Sequence, residues 1–197
     1  MALATAVDTG LIDKARVFHG ELCPGLATGI QVARLAMREL GELTNVVAVA
    51  ETDMCGVDAV QALSGCTIGN RNLIVLDYGK IGFQFFKDGS AIRISGRHPW
   101  SLEFQAARRR MLAGTASDEE RRNYPKLRDA EVDRILSTPL EELFTVREFN
   151  AGRPLTSTVD PWLICDECGE EVMESRVRYF QGRELCIPDY HRITGRS

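Results

Sequence analysis

Cys165-Asp-Glu-Cys168, followed later by Cys186-Ile-Pro-Asp189-Tyr-His191, decides how the C-terminal part of this chain folds. Two cysteines separated by two residues, together with a distant third, supply three of the four ligands of a tetrahedral zinc site. The sequence therefore predicts a small zinc ribbon over residues 161–197, with Cys165, Cys168 and Cys186 as ligands.

The fourth zinc ligand stays open between two residues. Asp189 occupies the position where a second Cys-x-x-Cys would end, whereas the imidazole of His191 is the softer donor. Without metal, the same pattern would be a reduced or redox-active cysteine pair, with Cys186 buried as packing. A redox pair of the thioredoxin type would need a βαβ context, which the sequence lacks.

The composition favours one main core and a small second domain. The chain has 197 residues, of which 44% are hydrophobic and 26% charged. Six cysteines are too few for a disulfide scaffold in a chain of this length, so we expect reduced thiols. The first ten residues lack the pattern of a signal peptide, and the apolar run Val46–Ala50 is far too short for a membrane span. We therefore expect a cytoplasmic protein without a membrane partner.

The charge of the chain weighs against a nucleic-acid partner. The formal net charge is −4, and residues 161–197 contain five Arg or Lys against seven Asp or Glu. Because phosphate backbones are bound by positive surfaces, an acidic zinc module is better suited to supporting a fold or contacting protein.

Turn-forming residues divide the chain. Gly, Pro, Ser and Thr cluster over residues 151–160 and predict a linker there. The sequence then comprises a core domain at residues 1–150 and the zinc finger at residues 161–197.

The core domain is predicted to be α+β, with an antiparallel or mixed sheet and flanking helices. Apolar spacing indicates helices over 11–18, 26–40, 56–63 and 101–112, the last capped by Ser101, and further short helices over 118–134. Strands are predicted over 46–50, 72–76, 80–86 and 91–95, with a hairpin turn at Lys87-Asp-Gly-Ser90. Helices that bracket hairpin-linked strands are typical of α+β proteins and not of doubly wound parallel sheets.

A second cluster of reactive residues lies in this core. His19-Gly-Glu-Leu-Cys23-Pro24 and Thr52-Asp-Met-Cys55-Gly each place a cysteine just before a predicted helix. The positive end of a helix dipole stabilises a thiolate, which makes a better nucleophile or metal ligand. His19 precedes Cys23 by one helical turn, so both can bind one ion, or the imidazole can act as base to the thiol. The alternative is that both cysteines are core packing and that His19 caps a helix.

Several nearby residues have two interpretations. We interpret Cys66 as packing, and Asp53 and Asp58 as helix caps, with orientation of a ligand as the alternative for either carboxylate. Lys80 is interpreted as a solvated residue at a strand end, with a cleft position as the alternative. The run Arg108–Arg110 is interpreted as a solvated helix face, with an anion site as the alternative.

Four segments in order carry a family resemblance. Phe18-His-Gly-Glu-Leu-Cys-Pro-Gly25, Glu51-Thr-Asp-Met-Cys-Gly-Val-Asp-Ala-Val-Gln61, Gly65-Cys-Thr67 and Asp77-Tyr-Gly-Lys80 resemble the core domain of the formylmethanofuran dehydrogenase E-subunit family. The C-terminal cysteines are similar to the zinc finger that many members of the family append.

This resemblance implies an α+β core followed by a treble-clef zinc finger, commonly assembled as a homodimer. It also implies that His19, Cys23 and Cys55 form an active or metal-binding site. The chain departs from its relatives at Asp189, where a fourth cysteine is frequent. The family name comes from association with a molybdenum or tungsten enzyme, an oxidoreductase that fixes CO₂ onto methanofuran, but the sequence does not establish an activity of this chain alone.

Three functions follow from these observations. The leading hypothesis is a metal-binding protein with structural zinc in the finger, a second metal of unknown identity or a reactive thiol in the core, and a role in one-carbon metabolism. The second is a non-catalytic accessory module that docks a partner enzyme through the finger. The third, a zinc-finger transcription regulator, is disfavoured by the acidic finger.

Overall fold

The computed structural model describes residues 7–150, 152, 154 and 160–196. The chain divides into two compact units, Met1–Thr156 and Ser157–Ser197. Apart from Gly152, Pro154 and Asp160, the linker predicted at 151–160 lies outside the described residues.

The first unit contains a five-stranded mixed sheet in the order β2-β1-β3-β4-β5. β1 and β2 are parallel, and the other neighbours are antiparallel. Helices flank this sheet, which confirms the α+β prediction. The elements are α1 (Thr9–His19), α2 (Pro24–Leu40), β1 (Val47–Ala50), α3 (Gly56–Ser64), β2 (Leu73–Val75), β3 (Gly82–Lys87), β4 (Ser90–Gly96), α4 (Leu102–Leu112), α5 (Asp118–Ser137), α6 (Leu140–Leu143) and β5 (Phe144–Glu148).

Helix α2 forms the centre of the core. It begins at the predicted N-cap, where the backbone N–H of Leu26 donates to Cys23 Sγ at 3.4 Å and Pro24 occupies the first helical position. It ends at Gly41, whose φ of +72° favours glycine. Its buried side chains pack against one face of the sheet, in a cluster that includes Phe83 and Phe85 of β3.

Two glycines allow α2 and α3 to touch at the backbone. A Cβ atom placed on Gly29 of α2 would lie 2.4 Å from the carbonyl oxygen of Gly56 and 2.6 Å from its Cα, well inside van der Waals contact. Only a residue without a side chain fits at this crossing. The contact lies within about two turns of both helix starts, so it holds the N-terminal ends of α2 and α3 together.

Helix α5 corrects one prediction. Residues 118–137 form a single helix of 20 residues, where the sequence suggested several short ones. A capping box between Ser117 and Glu120 starts the helix, Pro125 lies inside it, and the buried side chains of Val132 and Ile135 pack into the core. Neither α5 nor any other helix in the described part of the chain is both long and apolar enough to cross a membrane.

Glu131 of α5 fixes the segment that leads into α4. Its carboxylate accepts from the backbone N–H of Ser101 at 2.7 Å and from Ser101 Oγ at 2.8 Å. Arg134 pairs with the same carboxylate at 2.8 Å and also donates to the carbonyl of Pro99. Burial opposes ionisation of Glu131, but Arg134 and Ser101 outweigh it and lower its pKa. This network holds Trp100 in place between Pro99 and Ser101.

The second unit is a small zinc-finger fold. Its strands β6 (Trp162–Ile164) and β7 (Glu171–Met173) form one hairpin, and β8 (Arg178–Phe180) and β9 (Arg183–Leu185) form another. A short 3₁₀ turn separates the hairpins, and helix α7 (Ile187–Thr194) follows β9. Cysteines in the first hairpin loop and at the start of the helix correspond to the predicted treble-clef-like arrangement.

Replacing Gly29 with alanine tests the close helix crossing. The added methyl group meets the Gly56 backbone, so we expect Gly29→Ala to lower the free energy of unfolding by about 2–3 kcal/mol. Urea denaturation followed by circular dichroism measures the change. Gly69→Ala is the control, because nothing lies near its Cβ position. Equal stability of the two variants would contradict the crossing.

The Glu131 network predicts a pH-dependent stability. Because folding lowers the pKa of Glu131, its contribution is complete above the unfolded pKa of about 4.3 and disappears as the pH falls through the folded value. Glu131→Gln should therefore cost about 2 kcal/mol at pH 7 and much less near pH 3. Urea unfolding of both proteins at the two pH values measures this, and a pH-independent difference would refute it.

Candidate metal centres

The fold brings His19, Cys23 and Cys55 together. His19 is the last residue of α1, Cys23 caps α2 and Cys55 precedes α3, so three helix ends meet at one point. One donor atom from each residue lies within 4.8 Å of the other two, and His19 Nε2 is 3.8 Å from Cys23 Sγ. We call this group the core centre.

Asp58 orients the imidazole of the core centre. Its Oδ2 lies 2.7 Å from His19 Nδ1, and a carboxylate can only accept this hydrogen bond. The proton therefore sits on Nδ1, and the lone pair of Nε2 points towards the thiols. A carboxylate behind a histidine is the usual support for a metal-binding imidazole. The alternative interpretation of Asp58, as a residue that orients a ligand, matches this geometry.

The thiols of the core centre differ from the predicted picture. The sequence predicted that both helix starts stabilise thiolates, but Cys55 receives no capping hydrogen bond from α3. Burial and the neighbouring Cys23 raise the pKa of Cys55 to about 11, so its free thiol is protonated near neutral pH. Two thiols and an imidazole crowded in a partly buried position become compatible as anionic donors when a cation binds between them.

The donor set fits a transition metal with one position left over. Sulfur and imidazole nitrogen suit Zn²⁺, and a tetrahedral ion would separate these donors by about 3.6–3.8 Å. The observed 3.8 Å between His19 Nε2 and Cys23 Sγ agrees with that spacing. Three protein ligands and an open fourth position are typical of catalytic metal sites, whereas structural sites are closed.

The finger brings together Cys165, Cys168, Cys186 and Asp189. One donor atom from each lies within 4.8 Å of the other three, and we call this group the finger centre. The Sγ atoms of Cys168 and Cys186 are 3.9 Å apart, and Asp189 Oδ2 lies 3.4 Å from Cys165 Sγ and 3.2 Å from Cys186 Sγ. Tetrahedral zinc requires about 3.8 Å between sulfurs and about 3.6 Å between sulfur and oxygen, so four ligands can close this site.

Charged neighbours hold Asp189 in position. Arg192 donates to Asp189 Oδ1 at 2.9 Å and to Glu167 Oε1 at 2.7 Å, which leaves Oδ2 facing the sulfurs. The ion pair with Arg192, helped by the nearby thiols, lowers the pKa of Asp189 strongly. Backbone N–H groups of Cys168 and Cys186 lower the pKa of Cys165. The carboxylate and one thiol are thus prepared as anions.

The remaining candidate residues lie elsewhere. His191 is exposed on α7, with its ring 6.0 Å from that of Tyr190, and among the described residues Asp189 and not His191 joins the cysteine group. Cys66 is buried and donates its S–H to the carbonyl of Val46 at 3.4 Å, in line with its interpretation as packing. Asp53 is exposed, outside both donor groups.

Arg108 departs from its predicted role. The sequence placed it on a solvated helix face with Arg109 and Arg110, but its guanidinium lies 5.4 Å from the ring centre of Trp100 and is only partly exposed. Trp100 was not predicted from the sequence, because a lone tryptophan in a turn carries no local signal. Its indole N–H donates to Thr28 Oγ1 at 3.1 Å.

An α+β core with a thiol and imidazole centre, followed by a zinc finger, defines a two-part class of metal-site proteins. The profile described as "FmdE, Molybdenum formylmethanofuran dehydrogenase operon" matches residues 18–145, more than half of the chain. The chain belongs to this family, as its motifs predicted. A second profile, "Prokaryotic dksA/traR C4-type zinc finger", matches residues 161–188 and ends one residue before Asp189.

Two similar proteins extend this comparison. A protein of Archaeoglobus fulgidus named "Probable S-adenosyl-L-methionine-binding protein" is 30% identical over 207 residues, which cover 96% of this chain and 56% of that protein. The chain thus spans about half the length of that curated relative. The crystal structure of an FmdE-like protein of tungsten formylmethanofuran dehydrogenase, from Syntrophus aciditrophicus, has a TM-score of 0.66 at 22% identity, with 97% of both chains covered. It supports the fold.

Asp58 provides a test of the core centre. Removing its charge frees the His19 ring to turn and to change tautomer, so we expect Asp58→Asn to weaken metal binding there by about 10- to 100-fold. Competition with a chromophoric chelator measures the affinity, in a Cys168→Ser background so that the finger does not contribute. Asp53→Asn is the matched control and should bind as tightly as the parent. Equal affinities of the two variants would contradict the role of Asp58.

Proposed function

We propose that this chain is a metal-binding protein with two centres of different kinds. The finger centre holds a structural Zn²⁺, and the core centre holds a second ion with an open coordination position. The observation that carries this proposal is the geometry of His19, Cys23 and Cys55, whose donor atoms meet while Asp58 fixes the imidazole. The zinc-finger profile and the finger cysteines support zinc as the ion in the finger.

The two centres call for different chemistry. Four protein ligands close the finger centre, so its zinc would stabilise the small unit and take no substrate. The core centre offers three ligands, and an ion there would polarise a water or a substrate oxygen bound at its fourth position. His19 supplies a nitrogen donor in a fixed tautomer, and Cys23 and Cys55 supply the negative charge that retains the ion. A nucleophilic Cys23 with His19 as base is the metal-free alternative.

We further propose a role in one-carbon metabolism. The family is described by the formylmethanofuran dehydrogenase operon, and the relative from Archaeoglobus fulgidus is named for S-adenosyl-L-methionine. Formylmethanofuran and S-adenosyl-L-methionine both carry a single transferable carbon. A metal centre with an open position suits a reaction at such a carbon, because it can bind the oxygen attached to it.

A second candidate function is docking of a partner enzyme through the finger. The side chains of Trp162, Ile164 and Tyr179 are large and apolar, and all are more than half exposed. Exposed aromatic and aliphatic side chains on a small, rigid unit suit protein contact. A homodimer and a cytoplasmic location stay predictions from the resemblance and the composition.

Metal analysis of purified variants tests the leading proposal. We expect one metal equivalent in each unit of the parent protein. Cys23→Ser and Cys55→Ser should each lose the core ion on dialysis against a weak chelator and keep the finger zinc, whereas Cys168→Ser should do the reverse. Cys66→Ala is the control, because this buried thiol lies outside both centres and its loss should leave both ions in place. Full metal content in both core variants would eliminate the core ion and leave the docking function.

A further inference from the structure

A cavity of about 390 Å³ opens beside the core centre. Its walls include Gly25 of α2, the loop Thr52–Met54, Phe83 of β3 and Trp100. Lys80 and Arg108 also line it. The volume is in the range of small-molecule pockets, and we call this space the anion cavity for the reasons below.

Gly25 separates the anion cavity from the two thiols of the core centre. A Cβ atom on Gly25 would lie 3.5 Å from Cys55 Sγ and 3.9 Å from Cys23 Sγ, so the thiols stand directly behind this part of the wall. Gly56, the residue after Cys55, lines the same cavity. Because neither glycine has a side chain, a molecule in the cavity can approach the core centre closely.

Two cations in the lining have no carboxylate partner. Across the described ranges 7–150 and 160–196, neither Lys80 nor Arg108 makes an ion pair, while Asp53 is the single carboxylate in the lining. Glu51, whose pKa is lowered mainly by Arg93, is already bound by Arg93 at 2.6 Å. The lining therefore carries an excess of positive charge, which an anion would neutralise.

The apolar part of the lining is rigid and partly aromatic. Phe83 is 1% exposed, and Trp100 is fixed by its hydrogen bond to Thr28 and by the network around its neighbours. The guanidinium of Arg108 lies over the Trp100 ring, so its position is set before any ligand arrives. A preformed wall of this kind favours a ligand with a flat or apolar body over an inorganic ion.

We propose that the anion cavity binds a small organic anion, with a carboxylate or phosphate group at Lys80 and Arg108 and an apolar body against Trp100 and Phe83. The opposite end of the molecule then faces the core centre. Binding of the anion stands on the cavity alone, whereas its use as a substrate rests on the proposed metal function. Two of the residues that decide this class, Lys80 and Arg108, were interpreted from sequence as solvated.

Tryptophan fluorescence measures the binding directly. The chain has two tryptophans, so Trp162→Phe leaves Trp100 as the only reporter. Zinc-loaded Trp162→Phe protein is titrated with benzoate, with phenyl phosphate and with neutral benzamide. We expect saturable changes in emission with at least one anion, binding about tenfold weaker or less for benzamide, and a similar loss when Lys80→Met or Arg108→Gln is added. The anion that binds more tightly identifies the head group.

Arg109→Gln is the matched control, because Arg109 is the exposed neighbour of Arg108 on α4 and does not line the cavity. It should bind the anions as the parent does, and circular dichroism should show all variants folded. Binding of benzamide as tight as that of the anions, or unchanged binding in both Lys80→Met and Arg108→Gln, would overturn the proposal.

A titration of the Cys55→Ser variant separates this inference from the metal function. If that variant loses the core ion and still binds the anion, both proposals stand. If it keeps full metal content but binds the anion, the core ion is wrong and the anion cavity stands. If the metal is lost as predicted but no anion binds even the parent, the anion cavity is wrong and the metal function stands.

Discussion

The backbone contact between Gly29 and Gly56 is the constraint on which the core centre depends. Because neither residue has a side chain, α2 and α3 approach until their backbones touch, a short distance from the N-terminal end of each helix. Cys23 and Cys55 occupy those ends, so the same contact sets the distance between the two sulfurs. Gly25 extends the principle, since a Cβ atom there would lie 3.1 Å from Cys55 Cβ. Small residues thus create the space in which the thiols converge.

Both centres follow one plan, in which a charged neighbour orients one ligand. In the core, Asp58 binds the imidazole nitrogen that faces away from the thiols; in the finger, Arg192 binds the carboxylate oxygen that faces away from them. Each partner fixes a rotatable side chain and its charge state. The difference lies in the number of ligands, since four donors close the finger centre and three leave the core centre open beside a cavity. Shape, more than ligand chemistry, assigns stability to one and reactivity to the other.

Local signals in the sequence predicted much of this arrangement. Cysteine spacing indicated the finger, and the order Cys23-Pro24 placed a cysteine at the start of α2, as the capping bond to Leu26 confirms. Other features depend on contacts between distant residues. His19 and Asp58 are 39 positions apart, so nothing in the local pattern assigns that carboxylate to the imidazole. Arg108 was interpreted together with its charged neighbours, because its contact with Trp100 exists only once α4 packs on the core. Burial of Cys55, which outweighs the helix dipole in setting its pKa, is likewise a property of the folded unit.

Anomalous X-ray scattering from a crystal, recorded on both sides of the zinc edge and of other transition-metal edges, tests the central claim most directly. Our account predicts one peak bounded by His19 Nε2, Cys23 Sγ and Cys55 Sγ, and a second, at the zinc edge, among Cys165, Cys168, Cys186 and Asp189. A peak in the finger alone, from protein purified without chelators, would contradict the claim that the touching helices assemble a metal centre.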